Sequence, residues 1–283
     1  MDILDLSDEE LSQGGAFDIE ERTVPGPQGA PDISLLICRP AASTGGRPVI
    51  YHTHGGGMIL GNNRFAVAMA LDWARELDAV VVSVEYRLVP EHPYPAPVED
   101  VYAGLLLTAE YAKEIGGDPA RIVIEGVSSG GGLRAALALL TRDRQGPRPI
   151  GQLLLCPMLD DRNDTPSAHQ MAGLGIWDRT SNETGGPRCW ATGAAARTCP
   201  RMRPLPAPRT WPGCPRLPRR RLRGDLPGRD RRLRLRDWQA GGVAELHVWP
   251  GGFHGYEGFA PQATLSEARV AARLAWLRRL LGE

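Results

Sequence analysis

Residues 121–140 read RIVIEGVSSGGGLRAALALL. The first six, RIVIEG, are mostly apolar and β-branched, which predicts a strand. From about Gly131 to Arg144 the apolar spacing is helical. The join between them, Gly126-Val127-Ser128-Ser129-Gly130, matches G-x-S-x-G. A sharp strand-to-helix turn forces its central residue into strained backbone angles and needs small residues on either side. The Ser128 hydroxyl would then project beyond the strand end, at a helix N-terminus whose dipole favours developing negative charge. Alone, the pattern also fits a Gly/Ser-rich turn that opens a helix, the lesser reading given this placement.

The flanking sequence supplies the context. Residues 33–38 and 48–54 read as strands between Pro/Gly punctuation, and 65–78 has helical spacing. Residues 79–86, AVVVSVEY, are a continuous apolar run of the kind buried on both faces of a parallel sheet. A helix over 98–116 leads to the strand at 121–126, and 152–157 forms another strand. Near the C-terminus, 244–250 reads as a strand and 266–281 as an amphipathic helix. This alternation predicts an α/β fold, a mostly parallel, doubly wound central sheet flanked by helices.

His54-Gly55-Gly56-Gly57 directly follows the strand PVIYHT. Glycines let backbone N–H groups approach a substrate oxygen with no Cβ in the way. Two such amides and the N–H of Ser129 would form an oxyanion hole. His54 reads as a hydrogen bonder that orients this loop, and His52 as structural.

With these motifs in order, the chain resembles the hormone-sensitive-lipase-like family of α/β-hydrolase esterases. The matching stretches are HTHGGGMILGN (52–62), VEYRLVPEHPYPAPVEDVYAGL (84–105), IEGVSSGGGLRAAL (124–137), PMLDDRNDTPS (157–167) and VWPGGFHGYEGF (248–259). The resemblance implies a Ser–His–acid triad, no cofactor, and hydrolysis of short to medium acyl esters. It implies Ser128 as nucleophile, His254 as general base, and Gly56, Gly57 and Ser129 as oxyanion donors. It also implies a small helical cap, incomplete here, with residues 1–30 its N-terminal segment and 31–283 the catalytic domain. His92 and Asp100 read as braces of the loop they flank. Three positions depart from the pattern: Val127 replaces the usual acid, Ser129 the usual Ala, and the N-terminus is short for a full cap. A homodimer through the C-terminal strand and helix, common dimer edges in that family, is compatible with the resemblance.

The triad acid is the weak point. The family places it about thirty residues before the histidine, where Asp225 in RGDLPG is best placed and Asp230 second; Glu245 reads as structural. Yet the formal charge, zero overall, splits here into +12 over 186–237 and −12 elsewhere. That stretch holds fifteen Arg and nine Pro without helical or strand periodicity. On composition it is irregular or disordered. A one-base frame shift in a GC-rich gene, which turns Ala, Val, Asp and Glu codons into Arg, Pro and Gly codons, is the sharper reading of it.

Of five cysteines, none forms CxxC, so neither a zinc site nor a disulfide framework is expected. No run approaches the roughly 18 apolar residues of a membrane span, and the acidic N-terminus lacks a signal-peptide layout, so a cytoplasmic protein is expected. Nucleic-acid binding through the arginines is disfavoured, because only Trp190 and Trp211 are interleaved with them. The remaining alternative to an esterase is a hydrolase-fold binder of small molecules whose turnover is lost with the acid.

Overall fold

The computed structural model describes residues 6–42, 45–159, 163, 166–183 and 242–282. They fall into two compact units: residues up to Met158 with the C-terminal segment from Arg273, and residues from Leu159 to Ala272.

The first unit opens with α1 (Asp8–Ser12), a single turn closed by a capping box in which Ser7 and Glu10 satisfy each other's backbone N–H. Six strands follow: β1 (Phe17–Val24), β2 (Ile33–Pro40), β3 (Arg47–Thr53), β4 (Val80–Val84), β5 (Gly117–Val127) and β6 (Gly151–Leu155). Their spatial order is β1-β2-β4-β3-β5-β6. The β1–β2 and β2–β4 pairs are antiparallel, and β4, β3, β5 and β6 are mutually parallel. The expected mostly parallel α/β sheet is therefore present. Residues 17–24, on the N-terminal side of the predicted boundary at 30/31, are its edge strand.

Each parallel crossover carries a helix: α2 (Val67–Glu76), α3 (Ala96–Glu110) and α4 (Ser129–Asp143). On one face of the sheet, Val101 and Leu105 of α3 and Leu133 and Leu137 of α4 pack on Val49, Tyr51, Val82 and Ile124. On the other, Leu71 and Trp73 of α2 pack on Leu36, Ile50, Val81 and Val123. Every residue of β3 and β4 is buried, as a strand covered on both faces requires. Cys38 of β2 is also fully buried, and that burial pushes its thiol up to about 12. Cys156 is also a free thiol.

The second unit contains α5 (Pro166–Gln170), a helical stretch at 179–183, and α6 (Tyr256–Phe259). The last helix, α7 (Thr264–Leu281), begins there and ends in the first unit.

Three boundaries differ from expectation. α3 stops at Glu110, and 111–116 are turns that close through Gly117 N–H to the Ala112 carbonyl at 2.7 Å. β5 starts at Gly117 because that residue already pairs with Arg47. Residues 244–250 carry no ladder among the described residues, and an extended segment becomes a strand only through a neighbour's hydrogen bonds.

Candidate active site

Ser128 is the single residue between β5 and α4, with φ 57° and ψ −119°. A non-glycine residue rarely holds such angles unless its surroundings over-determine them. They do here. The Ser128 N–H donates to the Leu155 carbonyl at 2.8 Å, and its own carbonyl accepts from Gly132 (3.1 Å) and Met158 (2.8 Å). The glycines of the motif are sterically required. A Cβ on Gly126 would stand 2.6 Å from the Gly130 backbone, and one on Gly130 would stand 2.1 Å from the Thr53 carbonyl oxygen. Ser128 is buried but keeps 8% of its surface accessible at the N-terminus of the 15-residue α4.

The glycine loop lies against this turn. A Cβ on Gly55 would be 3.3 Å from the Ser128 Cβ. Gly56 and Gly57 have φ of +94° and +64°, and a Cβ at Gly56 would meet the Leu60 carbonyl oxygen at 2.0 Å. Gly55, Gly56, Gly57, Ser128 and Ser129 thus belong to one unit, with the loop and the turn in contact through Gly55.

His54 is fully buried. Its Nδ1–H donates to the Gly55 carbonyl at 2.9 Å, and its ring stacks on Tyr86 with centroids 4.1 Å apart. Burial pulls its pKa down to about 3, so the imidazole is neutral across the physiological range. The Tyr86 hydroxyl donates to the carbonyls of His54 (3.1 Å) and Gly55 (3.2 Å). That role was not read from the sequence, although the VEYR segment was one of the matching stretches.

Around this centre, several buried polar groups are paired across elements. His52 Nδ1 meets the Glu125 carboxylate at 2.5 Å, and the two residues are register partners of β3 and β5. Arg134 of α4 is completely buried beneath the turn, its Nε donating to the Glu125 carbonyl and its guanidinium 3.7 Å over the Tyr51 ring. Burial lowers its pKa to about 10, which still leaves it cationic at neutral pH. Asp100 accepts from the backbone and guanidinium of Arg87 and so fixes the segment after β4. His92, paired with Asp100 in the sequence reading as a brace, is exposed.

His254 lies in the second unit, on the turn between Gly252 and α6. That turn is tightly built: a Cβ on Gly252 would be 2.4 Å from the Tyr256 ring, and Gly255 has φ +74°. Asp225 and Asp230 lie outside the described residues. Glu245 pairs with His247 at 2.6 Å, both of them exposed. Among the described residues no group of three or more His, Cys, Asp or Glu is placed to hold a metal, and no helix is long and apolar enough to cross a membrane.

A model of the α/β-hydrolase fold matches residues 50–258. A carboxylesterase of Mycobacterium tuberculosis, NlhH, is 43% identical over 161 residues, which is 57% of this chain and 50% of the relative. The chain therefore spans about half the length of the curated relatives it matches. Among solved structures, a bacterial heroin esterase superposes with a TM-score of 0.84 at 31% identity, covering 99% of this chain and 87% of that one. The esterase LipW of Mycobacterium marinum gives 0.75 at 26% identity, covering 98% and 92%.

Proposed function

Since the chain belongs to the α/β-hydrolase-fold family, we propose that it is a serine carboxylesterase acting on short to medium acyl esters. Ser128 attacks the ester carbonyl carbon while His254 takes the hydroxyl proton. The N–H groups of Gly56, Gly57 and Ser129 receive the oxyanion of the tetrahedral intermediate. His254 returns the proton to the departing alcohol. Water, deprotonated in turn by His254, then releases the carboxylic acid and restores Ser128. Asp225 is the proposed partner of His254.

The observation that carries this reading is the strained Ser128 pressed against the Gly55–Gly57 loop at the mouth of α4. A serine in an ordinary turn needs neither the positive φ nor the glycines that leave room for it. The named esterases among its relatives agree with it.

Hydrolysis of p-nitrophenyl acetate and butyrate by the wild type, Ser128→Ala, His254→Ala and Asp225→Asn tests the assignment. The first two substitutions should cost on the order of 10⁴ or more in kcat. Asp225→Asn should cost on the order of 10⁴ if Asp225 completes the triad, and an unchanged rate removes it. Labelling by a fluorophosphonate separates an esterase from a binder: a wild-type Ser128 that does not react would mark the chain as a binder.

A further inference from the structure

The glycine loop is fastened from outside, and the fastening converges on the residues just after β4. Four of the ten residues 54–63 are glycine, so the loop has little conformational preference of its own. Tyr86 holds its near end through the carbonyls of His54 and Gly55. The Val89 N–H holds its middle, donating to the Met58 carbonyl at 2.9 Å. Glu85 holds its far end, accepting the Asn63 N–H at 2.6 Å. Asn63 is buried, and its side chain donates to Glu21, which also accepts from Ser34 and Arg64. Glu85 is itself anchored, its N–H donating to the Ser34 carbonyl at 2.9 Å.

We propose that Glu85 is a positioning residue for the oxyanion amides: by accepting the Asn63 N–H it fixes the exit of the loop whose entry Tyr86 fixes. The proposal rests on the esterase reading above. A charge-assisted hydrogen bond is shorter and stiffer than a neutral one, and oxyanion donors must be held to a fraction of an ångström. Partial burial raises the Glu85 pKa, and the Asn63 N–H opposes that shift. A carboxylate in such a position costs stability unless its acceptor oxygens are used. Glu21 on β1 is the charged group that raises it further, and Glu21 is itself paired with Arg64 on the loop's continuation.

The test compares Glu85→Leu and Glu85→Gln on p-nitrophenyl butyrate, with thermal melting alongside and Ser128→Ala as a control. Leucine removes the acceptor at similar volume, and glutamine keeps an oxygen at the same reach. Glu85→Leu should lower kcat about tenfold with KM within about twofold, because the donors act in the transition state. Glu85→Gln should recover kcat to within about threefold of the wild type. A Leu variant with wild-type kcat, or a Gln variant as slow as Leu, overturns the proposal. If Glu85→Leu does not fold, Glu85→Asp decides in its place, since it withdraws the oxygens by one methylene; an unchanged kcat overturns the clamp. Persistent turnover in Ser128→Ala would instead overturn the esterase reading itself.

Discussion

Gly130 lies so close beneath Thr53 that a Cβ on it would stand 2.1 Å from the Thr53 carbonyl oxygen, and 2.4 Å from that of His54. The first turn of α4 is therefore pressed onto the end of β3, where the glycine loop begins. One contact fixes both the serine-bearing turn and the loop opposite it.

Gly130→Ala should be severely destabilising. The methyl would meet backbone rather than a movable side chain, so α4 or β3 must shift. Overpacking of this kind costs about 2 kcal/mol or more, and misplacement of the serine should reduce kcat/KM by about 100-fold. Gly258→Ala is the control, since nothing lies within 4 Å of a Cβ there. Urea titrations of both variants, with kcat/KM on p-nitrophenyl butyrate, check the contrast; equal behaviour would refute it.

Tyr86→Phe removes one hydroxyl and keeps the ring stacked on His54. Two backbone carbonyls then lose a donor in a buried setting, at about 1–2 kcal/mol. The entry of the glycine loop should loosen, lowering kcat by about three- to tenfold with KM nearly constant. A fall in stability with no change in kcat would make the hydroxyl structural only.

Much of this arrangement was legible because it rests on short-range constraints. G-x-S-x-G between a strand and a helix reports a turn that only small residues can make, and Gly126 and Gly130 turn out to have no room for a Cβ. The VVVSV run of β4 reports burial on both faces. The end of α3 was not legible: Ala112, Lys113 and Glu114 all tolerate a helix, and what stops it is the pairing of Gly117 with Arg47, some seventy residues earlier. The strand expected at 244–250 carries no ladder among the described residues, and apolar alternation reports a face to bury and not a partner. Glu85 and Tyr86 lie within a recognisable motif, yet their hydrogen bonds to the glycine loop reach 22 to 32 residues back along the chain. No local spacing encodes such contacts.

His54 makes a pH prediction. Its folded pKa of about 3 is far below the ordinary 6.5. The unfolded chain therefore takes up a proton below about pH 6.5 that the folded chain refuses. Stability from this group is complete above that pH and is lost as pH falls toward 3, at about 1 kcal/mol per unit. The urea midpoint at pH 7.5, 6.0 and 5.0 should drop more steeply for the wild type than for His54→Gln. Parallel curves would mean that His54 protonates in place.

Glu99 and Asp100 are adjacent on α3, and each pairs with an arginine, but only one pair is withdrawn from water. Asp100 is fully buried, and both its oxygens are used by Arg87, at 2.8 and 2.7 Å from the guanidinium and 2.9 Å from the backbone N–H. Asp100→Asn leaves the Arg87 guanidinium without its countercharge and replaces one acceptor oxygen by a donor. Removing one partner of a fully buried pair costs about 3–5 kcal/mol. Arg87 keeps 22% of its side chain in water, so part of its charge is resolvated, and the loss should be nearer about 2–3 kcal/mol. Glu99 holds Arg144 through two bonds of similar length, at 2.8 and 2.6 Å. Those side chains are 28% and 40% exposed, and Glu99→Gln should cost no more than about 0.5 kcal/mol. Chemical denaturation of the two variants measures the difference directly. If it is below about 1 kcal/mol, burial is not what makes the Arg87–Asp100 pair matter.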